Sequence, residues 1–232
     1  HVTAHGIYRD KNVPTGKAYI YTGEDGESTI TVLSGANQNL TSEDIQKQQH
    51  LFTDAGFCLL STEIPVNAVI EAARIARQSG VKVILKPAVL QTISDELLAL
   101  TDIFIPNQKE AAALCPHKTS TEEQAEYFLE KGAATVIITL GHKGCYLRSE
   151  TEKRFFPAEN FASIDTTGGA DAFICALASY LTEGYSICKA IRIASYAAGF
   201  CVSRQGVVSA LVDRSTLETY IAQHDPALLS QT

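Results

Sequence analysis

The 232-residue sequence predicts an α/β protein, with a mostly parallel β-sheet, helices on both faces and a β-hairpin ahead of them. Three observations lead there. Short apolar runs at 57–60, 81–85, 102–105 and 134–139 alternate with longer segments of helical character, and strands linked through helices pair in parallel. Near the start, 17–22 and 28–33 are rich in Tyr, Ile, Thr and Val and flank the turn-forming Gly23-Glu24-Asp25-Gly26. No internal repeat, low-complexity stretch or clear interdomain linker interrupts the pattern.

The elements follow in order. Two hairpin strands cannot bury their own face, so they must pack on something else. After Gly35-Ala36-Asn37 the rhythm changes to helices and strands. Thr41 is an N-cap candidate, with Asp44 in the first turn of a helix running to about residue 53. The strand at 57–60 leads to Pro65, near the start of the next helix, with Gly80 as its C-terminal cap. Strands at 81–85 and 102–105 precede helices at 107–114 and 121–131, and 134–139 is the most apolar strand. Segments 144–148 and 154–156 form an antiparallel edge. Helices at 168–183, 186–203 and 213–224 complete the chain.

Composition narrows the functional classes. Hydrophobic residues make up 45% and charged residues 19%, ordinary for a globular protein. A net charge of −7 and the absence of a Lys/Arg cluster exclude nucleic acid as the expected partner. The apolar runs are too short to span a bilayer, and no basic start precedes an apolar stretch, so a cytoplasmic protein is expected. Six scattered cysteines with no Cys-x-x-Cys argue against a zinc site or redox pair and read as buried free thiols. The chain begins with His1 and has no Met, which suggests a fragment, a processed product or a sequence whose beginning is missing.

In a parallel sheet, ligands bind beyond the carboxyl ends of the strands. That directs attention to the loops at 61–65, 86–89, 106–110, 141–144 and 165–171. The most informative is Asp165-Thr-Thr-Gly-Gly-Ala-Asp-Ala-Phe173, where small residues lead directly into a long helix. Converging N–H groups and the helix N-terminus make an anion hole suited to phosphate. Asp171 lies one turn inside. A carboxylate there makes sense if it takes a proton from an attacking hydroxyl. The plainer reading is an Asp that complements the helix dipole.

Asp165 to Phe173 resembles the C-terminal signature of the ribokinase-like (PfkB) carbohydrate kinases. Pro14-Thr-Gly-Lys-Ala18 with Gly35-Ala36-Asn37 resembles their lid region, and Leu59-Leu-Ser-Thr-Glu-Ile-Pro65 the stretch carrying a sugar-contacting Glu. Pro106-Asn-Gln-Lys-Glu110 matches their N-x-x-E motif, and Thr139-Leu-Gly-His-Lys-Gly144 their nucleotide loop. Val202-Ser-Arg-Gln-Gly206 resembles the segment near the adenine and a monovalent-cation site. Six motifs in the right order are far more specific than any one.

The resemblance implies a three-layer sandwich lacking its N-terminal part, with 1–36 as a remnant of the lid and 37–232 as the nucleotide-binding and catalytic domain. It implies ATP-dependent phosphorylation of a small, ribose-like sugar. Asp171 is then the general base, and the N–H groups of Gly168, Gly169 and Ala170 stabilise the transferring phosphoryl group. Thr139, Gly141, Gly144, Gly206 and Asn107 belong to the nucleotide site. Asn107 and Glu110 organise Mg2+ through water, and Glu63 holds a sugar hydroxyl. Asp165, Thr167, Cys201, Arg204 and Gly206 are the candidate surroundings of a monovalent cation such as K+, and the lid implies a homodimer.

Plainer readings stand beside these roles. Asn107 could cap its helix, with Glu110 completing a capping-box-like pair. Gly141 and Gly144 could be hairpin glycines, Glu63 an early helix charge, and His142 a solvated loop residue. Ala170 stands where the family usually has Gly, which is tolerable only with a negative φ; Gly169 would then supply the flexibility. Ala210 replaces a Ser that some relatives place near the cation, which weakens the case for K+. The roughly one third of the family's length that normally precedes the hairpin has no counterpart here. Three rival readings are a non-catalytic remnant of the fold, a kinase of a nucleoside or sugar acid, and a dinucleotide-binding oxidoreductase. The last lacks a G-x-G-x-x-G after an early strand.

Overall fold

The computed structural model describes residues 4–22, 28–88 and 92–230. The predicted turn at 23–26 and Val89 lie outside the described residues. Two strands, β1 (Lys17–Thr22) and β2 (Ser28–Leu33), pair antiparallel, Lys17 beside Leu33. Six more form a second sheet in the order β3-β4-β5-β6-β7-β8. These are Phe57–Ser61, Lys82–Lys86, Ile103–Phe104, Thr135–Thr139, Gly144–Ser149 and Lys153–Pro157. The chain divides into two compact units, His1–Thr135 and Val136–Thr232.

In the first unit β3, β4 and β5 run parallel, with Phe57 beside Lys82 and Ile84 beside Ile103. Val83, Ile84 and Leu85 of β4 are fully buried, each contributing about 1.5–3 kcal/mol by transfer from water. At the end of the sheet β3 is less covered, and Leu59 is 44% exposed. Helix α2 (Val66–Gln78) buries a stripe of small residues, Ala68, Ala72, Ala73 and Ala76, together with Val69 and Ile75. Helices α1 (Ser42–Lys47), α3 (Asp95–Ala99), α4 (Gln108–Leu114) and α5 (Thr121–Glu130) complete the unit. The hairpin leaves Tyr19, Ile20, Tyr21, Ile30, Val32 and Leu33 exposed.

Two expectations are corrected here. Thr41 caps α1 in a reciprocal box with Asp44, but the helix stops at Gln48 and a 3-10 turn, Gln49–Phe52, replaces its second half. Neither piece buries a residue, so no packed apolar face sustains a longer helix. Helix α3 was not expected. It has five residues, too short for periodicity to reveal, and is held by the Ser94 cap and buried Leu97 and Leu98.

In the second unit β7 and β8 form the expected antiparallel pair, Cys145 beside Phe156. Helices α6 (Gly169–Thr182) and α7 (Ile187–Val202) pack together, and α8 (Arg214–His224) is capped by Asp213. α7 buries residues almost all round, including Ile191, Ile193 and Cys201. No helix among the described residues is long and apolar enough to cross a membrane.

Candidate active site

The first unit carries one group of the expected residues at the carboxyl ends of its parallel strands. Asn107 caps α4: its side-chain oxygen accepts from the Glu110 N–H at 2.8 Å, and Glu110 Oε2 accepts from the Asn107 N–H at 2.7 Å. The capping reading of this pair is therefore present in the molecule. The same Oε2 also receives the ammonium of Lys86, the last residue of β4. Both side chains of this ion pair are largely sheltered, 17% and 19% exposed.

The adjoining loops are tied to each other. The Thr62 hydroxyl donates to the Ala88 carbonyl (2.5 Å) and accepts from its N–H (2.8 Å). Glu63 is exposed in the turn before α2. Its Oε2 accepts from the Ser61 hydroxyl at 3.2 Å, and its N–H donates back to that oxygen at 3.4 Å. Sequence reasoning missed Lys86 and Thr62 as residues. The signal was the loop after an apolar strand, which marked the place without saying which side chain turned inward.

The second unit carries the rest. Gly168 caps α6 with φ +82°, a left-handed conformation costly for any other residue. A Cβ there would lie 3.3 Å from Cys201 Sγ and from Val207. Gly168, not Gly169, thus supplies the special backbone, and Gly169 is buried in the first turn of the helix. Ala170 is helical and exposed; Asp54 is the sole non-glycine of positive φ among the described residues, so the Ala methyl is accommodated without strain. The Gly169 N–H donates to the Thr166 carbonyl at 3.3 Å. The N–H groups of Gly168, Ala170 and Asp171 have no acceptor among the described residues. Asp171 is exposed and makes no hydrogen bond or ion pair with a described residue.

Asp165 braces this loop. Its Oδ1 accepts from the Thr167 N–H at 3.0 Å and its Oδ2 from the Gly206 N–H at 3.4 Å. These bonds, the Thr167 ones foremost, hold its carboxyl below the ordinary range. The buried Cys201 thiol donates to the Thr167 carbonyl at 3.5 Å, and burial first, then the negative Asp171 and Asp165, push its pKa up. It therefore stays a protonated structural thiol. Arg204 lays its guanidinium over the Phe200 ring at 5.2 Å. Ala210 is buried beside Ala172 and Cys201.

Thr139 ends β6, and the turn at Gly141–Lys143 follows. The two glycines there differ. Gly144, at φ +108°, would place a Cβ 2.0 Å from the Phe156 carbonyl, so the β7–β8 backbone needs it. Gly141, at φ +59°, faces open space. His142 is exposed, as its solvated reading expects. Among the described residues no group of three or more His, Cys, Asp or Glu could hold a metal ion. The free thiols are three buried (Cys115, Cys145, Cys201), two half-buried (Cys58, Cys188) and Cys175, which is exposed.

Known proteins show the family and the fold. Residues 1–214 match the pfkB family carbohydrate kinase family. The ribokinase of Staphylococcus aureus is 33% identical over 216 residues, 91% of this chain and 71% of that protein. The ribokinase of Haemophilus influenzae is 36% identical over 209 residues, 88% and 68% of the two chains. Among solved structures, ribokinase from Thermotoga maritima superposes with a TM-score of 0.82 at 33% identity, covering 90% of this chain and 70% of that one. Arabidopsis thaliana ribokinase, solved with ribose and ATP, gives 0.78 at 30% identity over 90% and 69%. The hairpin sheet and the mostly parallel second sheet match those ribokinase structures, and the chain belongs to the pfkB family of carbohydrate kinases, phosphotransferases with an alcohol group as acceptor.

Proposed function

We propose that this chain forms the nucleotide-binding and catalytic part of an ATP-dependent kinase acting on a small, unphosphorylated, ribose-like sugar, with 1–36 as lid and 37–232 as catalytic domain. The observation that carries this reading is Asp171, a carboxylate on the first turn of α6 that, like the N–H groups of Gly168, Ala170 and its own backbone beside it, has no partner among the described residues. An anion hole stabilises charge developing on the transferring phosphoryl group, and the carboxylate receives the proton of the attacking hydroxyl. The hydroxyl oxygen bonds to the γ-phosphorus, the bond to the bridging oxygen breaks, ADP leaves and the proton ends on Asp171.

Glu63, held by Ser61, supports a sugar hydroxyl as its partner and repels a sugar phosphate. The relatives named ribokinases, and the one solved with ribose and ATP, support the ribose-like acceptor and the donor. Mg2+ bound with the nucleotide neutralises phosphate charge. Asn107 and the remaining oxygen of Glu110 suit contact with its waters, since Glu110 Oε2 is already taken by Lys86 and the Asn107 N–H. In this reading Asp165 clasps its loop through two backbone N–H groups, and Ala210 offers no side-chain oxygen to a monovalent cation. The apolar side chains exposed on the hairpin support a homodimer through the lid.

The test is turnover of ribose with MgATP by the chain and by Asp171→Asn, which keeps size and hydrogen bonding but cannot take a proton. A general base predicts a loss of ~10²–10⁴-fold in kcat and kcat/KM alike, with nucleotide affinity unchanged or slightly tighter. A helix-dipole residue predicts near-normal turnover, and a kcat within about threefold of the original overturns the assignment.

A further inference from the structure

We propose that Lys86 is a positioning residue of the metal–nucleotide half-site: its ammonium holds the Glu110 carboxylate and cancels its charge, so this half-site takes a divalent cation together with nucleotide phosphates and not as a free ion. The inference rests on the kinase reading above and adds to it a residue whose role no motif assigns.

The geometry is local to the first unit. Lys86 closes β4, and Glu110 stands in the first turn of α4, 24 residues later. Sheltering of both side chains preserves more of their attraction than a surface pair retains. Glu110 Oε2 also accepts the Asn107 N–H, so the carboxylate is fixed from two sides, and Oε1 has no partner among the described residues. The segment that delivers Lys86 is itself braced, because Pro87 follows it and Ala88 is bonded twice to the buried Thr62 hydroxyl.

Charge then decides what can bind. Mg2+ sheds its waters reluctantly and needs several oxygen ligands or a strong local negative charge. One oxygen of a carboxylate already paired with an ammonium provides little of either, and no cluster of acidic, His or Cys side chains among the described residues makes up the difference. Phosphate oxygens change the balance. An ammonium has three N–H donors. One goes to Glu110, and the others have no acceptor among the described residues. A nucleotide brings negative charge that satisfies both the ammonium and the metal, so the pair accepts the complex where it refuses the bare ion.

The experiment titrates Mn2+, a paramagnetic stand-in for Mg2+, into the chain with and without ADP and reads free Mn2+ by electron paramagnetic resonance. The variants are Lys86→Met, Lys86→Gln, Lys86→Arg and the double variant Lys86→Met/Glu110→Gln. The original chain and Lys86→Arg should bind Mn2+ weakly alone and well with ADP. Lys86→Met should bind free Mn2+ roughly three- to tenfold more tightly, because the Glu110 charge is unmasked. The double variant should lose that gain. Lys86→Gln, which keeps a donor to Glu110, should show the same gain should Lys86→Met fail to fold. Free-Mn2+ affinity unchanged in both single variants, or a gain that survives Glu110→Gln, overturns the proposal. Failure of Mn2+–ADP to bind the original chain would instead count against the kinase reading, leaving the free-ion comparison intact.

Discussion

The Asp165 carboxylate reaches the N–H of Gly206, 41 residues further along the chain, at 3.4 Å while its other oxygen holds the Thr167 N–H at 3.0 Å. One side chain thereby ties the loop before α6 to the loop after α7. Asp165→Ala should raise amide hydrogen exchange at 166–169 by about three- to tenfold and lower turnover more than nucleotide affinity, because the loop that presents the free N–H groups loosens. Exchange rates unchanged at those four residues would show that the clasp is idle.

The same residue gives a pH dependence with a defined sign. Its folded-state pKa is depressed, chiefly by the Thr167 bonds. Such a group stabilises above its unfolded value, ~3.9, and the contribution is lost as pH falls through the folded value. Protection of 166–169 should therefore be flat from about pH 8 to about pH 5 and fall only below about pH 4. Asp165→Asn should abolish that acid step.

The two glycines after β6 should separate by readout. Gly144→Ala forces a Cβ into the Phe156 carbonyl and should cost ~2–3 kcal/mol or more in stability. Gly141→Ala meets no atom and should cost ~1–2 kcal/mol for its positive φ. If residue 141 contacts the nucleotide, Gly141→Ala should also weaken ADP binding several-fold in calorimetry, while folded Gly144→Ala binds normally. Equal nucleotide affinity in both variants would remove Gly141 from the site.

Glu63→Gln should raise KM for the sugar and leave KM for ATP nearly unchanged. One charged hydrogen bond contributes ~1.5–3 kcal/mol, or about tenfold to a hundredfold in kcat/KM for the sugar. Ser61→Ala should reproduce a weaker version, because it frees the carboxylate that the Ser61 hydroxyl orients at 3.2 Å. Equal changes in both KM values would assign Glu63 to the turn before α2 instead.

Ala170→Gly restores the family's usual residue and should leave kcat within about twofold, since residue 170 is helical, exposed and free of strain. It should lower stability by ~0.5–1 kcal/mol through added backbone freedom. A large rise in kcat would show that the Ala methyl obstructs the phosphoryl group.

Much of this protein was determined by its sequence alone, wherever the physics is local. Helical periodicity, the Thr41–Asp44 and Asn107–Glu110 boxes, Pro65 at the head of α2 and Gly80 beyond its end all act over a few residues. The loop before Asp171, proposed above as an anion hole, is local too, because it consists of consecutive small residues. Where local signals were weak, packing decided: the break at Gln48 lacks an apolar face to continue, and five-residue α3 exists because Leu97 and Leu98 are buried. The pairings that brace the loops within each unit, Lys86 with Glu110 and Thr62 with Ala88 in the first and Asp165 with Gly206 in the second, join residues 24, 26 and 41 positions apart. No spacing rule encodes them. They form only when the parallel strands and the α6–α7 pair bring distant loops together, and so it was the tertiary structure that decided which carboxylates are occupied and left Asp171 without a partner among the described residues.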